Sequence, residues 1–271
     1  MLGKLIKNEL KSSAHSMSSV YLAAVITVAV MALSYVLDIM WISTFSTVVL
    51  LFLSGVAILM TLVMVISNFY KSLYGNQGYL SFSLPVKSGA LLASKALVSF
   101  FWILLSYLLA IAIWVGGYFY AAARIGQDKI TSIKTLLQFF DGLPSDKAIK
   151  KILAFTVIMI FAQIVVLIAQ IYFAITLSNT KPFQDLGIVS AIIAFFAVFA
   201  LMIFLTGLLT TYVPITLFIE GDGIAISFKE SMADSQSVRA LGLTGFFFQV
   251  IASAALFTST SYLMNKRVNV K

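Results

Sequence analysis

The sequence predicts an all-α integral membrane protein with six transmembrane helices. Hydrophobic residues make up 61% of the chain and charged residues 10%, against about 25% charged in ordinary globular proteins. The mean hydropathy is +1.04. Six apolar runs reach the length of about 20 residues that a helix needs to cross a bilayer. They are apolar at successive positions rather than alternating with polar residues, which excludes a membrane β-barrel.

The six predicted spans leave only short polar connections. Asp38 and Lys95 are the charged residues inside them, and both lie near a span end. We therefore expect a single membrane domain, 1–271, with outer loops at 116–151 and 213–240, a cytoplasmic loop at 68–90 and no separate soluble domain. The predicted spans are 20–40, 44–67, 91–115, 152–177, 187–212 and 241–263.

The first 17 residues have the pattern of an amphipathic helix. At 100° per residue, their apolar side chains gather on one side and their lysines on the other. We expect an elbow helix that lies in the cytoplasmic headgroup layer and leads into the first span. A disordered basic tail is the alternative. The apolar side holds Leu2, Leu5, Ile6 and Leu10, and the polar side Lys4, Lys7 and Lys11.

The distribution of charge predicts that both termini are cytoplasmic. With the N-terminus inside, the inner segments carry ten of the 18 cations and only two of the 10 acids, Glu9 and Asp185. Lys and Arg accumulate on the cytoplasmic side of membrane proteins. Membrane topology therefore accounts for the net charge of +8, and we expect no nucleic-acid partner.

Residues that carry enzymatic chemistry are scarce. The chain has no Cys, and its one histidine, His15, lies in the N-terminal segment. Thiolate or histidine-rich metal sites and a Ser-His-Asp triad therefore cannot be assembled. There is no phosphate-binding glycine loop of the nucleotide-hydrolase type. We expect this chain to have no catalytic residue, metal or cofactor of its own.

Two glutamines stand out in the fourth predicted span. Gln163 and Gln170 are seven residues apart, which places them within about 20° of each other on a helix. One interpretation puts them on a substrate path or a subunit seam. The other makes them interhelical hydrogen-bonding residues, which contribute about 0.6 kcal/mol on average.

The segment 69–88, between the second and third spans, is aromatic and only lightly charged. Tyr70 and Tyr74 are one helical turn apart, Gly75 and Gly78 permit a chain reversal, and Pro85 interrupts any helix. This pattern predicts a short helix and a bend on the cytoplasmic face. The apolar character of the segment indicates a surface that a partner covers.

Three short motifs carry a resemblance to a known family. They are Gly78-Tyr79-Leu80, Ser83-Leu84-Pro85-Val86 and Ser94-Lys95. With them the chain resembles the permease subunits of bacterial ABC exporters of the type-2 membrane family, especially those for export of, or immunity to, lantibiotics, bacitracin and other peptides. The family usually has an acid before the Gly-Tyr-Leu motif, where this chain has Gln77.

The resemblance implies a transport complex in the bacterial plasma membrane. A separate ATPase subunit would bind ATP and Mg, and a second permease copy or paralogue would complete the path. The loop after the second span would act as a coupling helix against the ATPase, and Lys95 would meet lipid headgroups or an ATPase acid. The residues expected to couple to the ATPase are Tyr70, Tyr74, Gly78, Tyr79, Leu80, Leu84, Pro85 and Lys95.

The expected cargo is an amphipathic peptide or another hydrophobic compound moving out of the cell. The resemblance also suggests a partly re-entrant outer element within 213–240, with a simple extension of the fifth helix as the alternative. Two other function classes stay open. One is a secondary transporter or channel, for which repeats and charged mid-membrane residues are expected. The other is a membrane scaffold or regulatory subunit without transport.

Overall fold

The computed structural model describes residues 2–37, 40–75, 88–124, 146–180, 183, 188–220, 223–228 and 240–266. Within these ranges the chain forms six α-helices and three short strands. The helices are α1 (Leu2–Val36), α2 (Met40–Leu73), α3 (Ser88–Arg124), α4 (Asp146–Ser178), α5 (Ile188–Tyr212) and α6 (Leu243–Lys266). The strands are β1 (Thr216–Glu220), β2 (Gly223–Ser227) and β3 (Ala240–Gly242).

Among the described residues, five helices are long and apolar enough to cross a membrane, which confirms a helical architecture of the membrane type. They are Thr44–Leu73, Ser88–Ala122, Leu153–Ser178, Val189–Tyr212 and Leu243–Asn265. The described part of α1 contributes only a shorter apolar stretch, Tyr21–Val30. α1 runs without a break from the N-terminal segment into this stretch. Neither a separate elbow helix nor a sixth span is confirmed.

The chain divides into two compact units, Met1–Ser132 with Val270–Lys271, and Ile133–Asn269. In the first unit, α1, α2 and α3 each contact the other two. A small apolar cluster of Met64, Val98 and Trp102 marks where they meet. Ile6 and Leu10 pack against this cluster. The apolar side of the N-terminal segment is thus partly covered by the helices of its own unit.

In the second unit, α4, α5 and α6 likewise contact one another. Gly245 marks a close approach of α5 and α6, because a Cβ at this position would lie 3.1 Å from the methyl group of Thr206. Small residues allow helix backbones to approach in this way in membranes. The membrane-spanning part of α5 has few buried residues, 6% of its most apolar window. Most of its apolar surface is therefore open to lipid.

A three-stranded antiparallel sheet lies between α5 and α6 in sequence, with the strand order β2-β1-β3. Thr216 pairs with Ser227 and Glu220 with Gly223, so a two-residue connection joins β1 to β2. The amide of Leu243, the first residue of α6, donates to the carbonyl of Ile215 at 2.9 Å. The sheet is thereby attached to the start of α6.

The structure corrects one of the two expectations for the segment 213–240, the simple extension of the fifth helix. The fifth helix ends at Tyr212, and Pro214 follows two residues later. Proline lacks the amide hydrogen that helix continuation requires. The next residues form β1 instead of an extension of α5. The partly re-entrant outer element stays a prediction from the family resemblance. Gly221-Asp222 lies between two short runs rich in Ile and Phe, an arrangement that agrees with a two-residue hairpin turn.

Candidate functional site

The end of α2 holds two of the aromatic residues predicted to couple to a partner. Tyr70 is 37% exposed, whereas its neighbours Phe69 and Leu73 are buried. The ring of Tyr74 contacts Phe69 edge-on, with 6.2 Å between ring centroids, and lies 6.3 Å from Tyr70. Tyr70 is thus an exposed aromatic side chain on a helix end whose other side is fixed in the core.

Gly75 closes this helix end. Its amide donates to the carbonyl of Tyr70 at 3.0 Å, and the amide of Tyr74 donates to the same oxygen at 2.8 Å. A Cβ at position 75 would lie 2.9 Å from the backbone oxygen of Lys71. Because backbone cannot move aside as a flexible side chain can, the closure requires glycine.

Five of the predicted coupling residues lie outside the described residues. These are Gly78, Tyr79, Leu80, Leu84 and Pro85, within 76–87. Helix α2 does extend through 68–73, which the sequence assigned to the cytoplasmic loop. The coupling role of these five residues stays a prediction from the family resemblance.

Lys95 is buried and has a partner within its own unit. Its Nζ lies 2.5 Å from Oε1 of Glu9, and the side chains are 4% and 25% exposed. A lysine this deep is stable when its charge is paired. The ammonium group of Lys95 therefore pairs with the carboxylate of Glu9 in the same chain. We had expected this ammonium group to meet lipid headgroups or an ATPase acid.

The Glu9–Lys95 ion pair begins a series of polar contacts between α1 and α3. Trp102 Nε1 donates to Ser13 Oγ at 2.8 Å. The hydroxyls of Tyr21 and Ser106 share a hydrogen bond at 2.9 Å. The residues on α1 come in the order Glu9, Ser13 and Tyr21, and their partners on α3 come in the order Lys95, Trp102 and Ser106. Both series ascend in sequence, so the two helices run parallel. We call this set of three contacts the polar ladder.

Thr61 extends the polar ladder to α2. Its hydroxyl is 2.6 Å from Ser106 Oγ, and Thr61 and Ser106 are both 1% exposed. The indole ring of Trp102 stacks on Tyr21, with centroids 5.9 Å apart. Side-chain hydrogen bonds thus connect all three helices of the first unit, and an aromatic contact lies beside them. One signal of this arrangement is present in the sequence, the acid Glu9 beside the apolar side of the N-terminal segment.

The two glutamines of the fourth predicted span have different environments. Gln163 is exposed, and its amide donates to the side-chain oxygen of Gln249 on α6. This contact agrees with the interhelical hydrogen-bonding interpretation for Gln163. Gln170 is 4% exposed. The glutamines share a helix face, but one is exposed and the other is buried.

Among the described residues, no group of three or more His, Cys, Asp or Glu side chains is arranged to hold a metal ion. Comparisons with protein-family models, curated proteins and solved structures find no match to this chain. The assignment of a function therefore depends on the chain's own residues.

Proposed function

We propose that this chain is the permease subunit of an ATP-driven exporter in a bacterial plasma membrane. In this proposal a separate ATPase binds ATP and Mg, and a second permease copy or paralogue completes the translocation path. The cargo is an amphipathic peptide or a similar hydrophobic compound. Both termini are cytoplasmic.

The observation that supports the proposal most directly is the position of Tyr70 at the end of α2. An exposed aromatic ring on a helix that is anchored by buried Phe69 and Leu73 moves with that helix as one body. A partner that binds such a ring can displace the helix without a covalent link. The motifs of the family resemblance follow Tyr70 within 25 residues in the sequence.

A second line of support is the anchoring of α3, which follows the same loop. The polar ladder joins α3 to α1, and Thr61 joins it to α2. Displacement at the loop would thus pass to all three helices of the first unit. This arrangement suits a permease that responds to an external motor.

The proposal requires that the end of α2 face the cytoplasm, which cysteine labelling tests. The chain has no native Cys, so single cysteines at Lys71 and Trp41 report on opposite ends of α2. Both native side chains are exposed. In intact cells, a membrane-impermeant maleimide should label the cysteine of Trp41→Cys and spare that of Lys71→Cys. In inverted vesicles the pattern should reverse. Labelling of Lys71→Cys in intact cells would refute a cytoplasmic coupling loop.

A further inference from the structure

A cavity of about 660 Å³ lies between the C-terminal parts of α4 and α6 in the second unit. Its volume falls within the range of about 300–1,000 Å³ typical of small-molecule sites. None of its lining residues is acidic or basic. The lining residues are Phe173, Leu177, Thr258, Ser259, Tyr262 and Leu263. We call this cavity the α4–α6 groove.

The groove lies at the ends of two membrane-spanning helices. The apolar span of α4 ends at Ser178 and that of α6 at Asn265. At 1.5 Å per residue, Leu177 and Leu263 lie within about 3 Å of these ends, and Thr258 lies about 10 Å from the end of α6. The groove therefore covers the depth where headgroups give way to acyl chains.

The wall that α6 contributes is open rather than covered by the unit. Tyr262 is 53% exposed, and Thr258 and Ser259 are also exposed. Thr258 Oγ1 donates to the carbonyl of Ala255 at 2.9 Å, which reduces its polarity toward the groove. The wall is thus largely apolar, with a tyrosine near the helix end, as is common where a helix meets the membrane interface.

The sequence at and after the two helix ends is predominantly basic. Position 266, a lysine, falls on the same face of α6 as Ser259, Tyr262 and Leu263, at seven, four and three residues. The segments 170–187 and 258–271 together carry four cations, at positions 181, 266, 267 and 271, and one acid, Asp185. An apolar groove beside an excess of positive charge complements a molecule with a hydrocarbon chain and an anionic head.

We propose that the α4–α6 groove binds an anionic phospholipid. One acyl chain lies along Phe173, Leu177 and Leu263, and the phosphate lies toward Lys266 at the end of α6. Ser259 supplies a hydroxyl at the depth of the ester groups. The cavity has the volume of a small-ligand site. This proposal rests on the membrane-embedded fold and not on the exporter function.

Lipid titration of the purified full-length chain, followed by native mass spectrometry, tests the proposal. The probes are phosphatidylglycerol and phosphatidylcholine with identical acyl chains. Thr258→Phe fills the groove, and Ile193→Phe adds a ring at an exposed position of α5, outside the residues that line the groove. Lys266→Gln removes the cation, and Lys4→Gln makes the same charge change at an exposed site in the other unit.

We expect the native chain to prefer phosphatidylglycerol. Thr258→Phe should weaken its binding about tenfold, the equivalent of losing contact with about two methylenes. Lys266→Gln should weaken it about fivefold, as expected for one cation near a charged headgroup. Ile193→Phe and Lys4→Gln should leave binding unchanged.

Two results would overturn the site. One is equal affinity of the native chain for both lipids. The other is an equal effect of each variant and its control on binding, because lipid would then be held all around the protein rather than in the groove. If Thr258→Phe does not fold, Ser259→Leu fills the same groove with a smaller side chain, and the same comparison applies.

Discussion

Glu9 and Lys95 are 86 residues apart in sequence, yet their side chains form an ion pair of 2.5 Å between α1 and α3. Lys95 is the more deeply buried partner, at 4% exposure against 25% for Glu9. The pair therefore places the N-terminal segment against the start of α3, directly after the loop predicted to contact an ATPase. Loss of the carboxylate and loss of the ammonium group should have unequal consequences.

Glu9→Ala should destabilise the chain more than Lys95→Met. The first change leaves a buried ammonium group without its partner, which costs about 3–5 kcal/mol in comparable cases. The second leaves a carboxylate that solvent can still reach. Thermal unfolding in detergent, followed by tryptophan fluorescence, measures the difference. Lys7→Met, at an exposed position of the same segment, serves as the control and should leave the midpoint unchanged. An equal drop in the unfolding midpoint for Glu9→Ala and Lys95→Met would show that the deeper burial of Lys95 does not determine the cost of breaking the pair.

Tyr21 and Ser106 should show a measurable coupling energy. Their hydroxyls share a hydrogen bond at 2.9 Å, and interhelical hydrogen bonds in membranes contribute about 0.6 kcal/mol on average. The double variant Tyr21→Phe/Ser106→Ala should lose less unfolding free energy than the two single variants lose together, by about that amount. Unfolding by SDS provides the four free energies of the cycle. Strict additivity would show that the contact does not stabilise the first unit.

The membrane-spanning helices could be predicted from the sequence because lipid imposes a simple requirement. Every backbone polar group must be satisfied inside the segment, and side chains must be apolar over about 20 residues. The runs at 44–67, 91–115, 152–177, 187–212 and 241–263 meet this requirement, and each is a long apolar helix in the structure. The helix ends were less predictable. Polar or charged residues such as Lys71 and Arg124 continue α2 and α3 beyond the apolar runs.

The sheet and the polar ladder could not be predicted in the same way. Residues 213–219 are apolar at most positions, a pattern that a short strand and a helix end share. The polar ladder depends on which helices pack together, and one sequence does not specify that pairing. Ser13 bonds to Trp102 on α3, and Ser106 bonds to Tyr21 on α1. These roles of the two serines follow from the packing of the two helices and are not visible in either segment by itself.

Gly75→Ala should loosen the end of α2. The added Cβ would approach the backbone oxygen of Lys71 to 2.9 Å, and accommodating such an overlap costs about 1–3 kcal/mol. Gly55→Ala is a matched control on the same helix, because a Cβ there meets nothing within 4 Å. Hydrogen exchange should become faster in 70–75 for the first variant only. Faster exchange in both variants would indicate a general effect of alanine on α2.

Tyr79→Ala should uncouple the chain from its ATPase without preventing membrane insertion. In the proposed complex, Tyr79 belongs to the loop that contacts the ATPase, so removing its ring weakens the contact and leaves the apolar helices unchanged. ATP hydrolysis by the co-expressed complex in nanodiscs, with and without cargo, measures the coupling. We expect cargo-stimulated hydrolysis to fall while the yield of inserted protein stays constant. Phe52→Ala, which alters a 75% exposed residue in the middle of α2, should preserve the stimulation. Undiminished stimulation in Tyr79→Ala would remove the loop from the coupling mechanism.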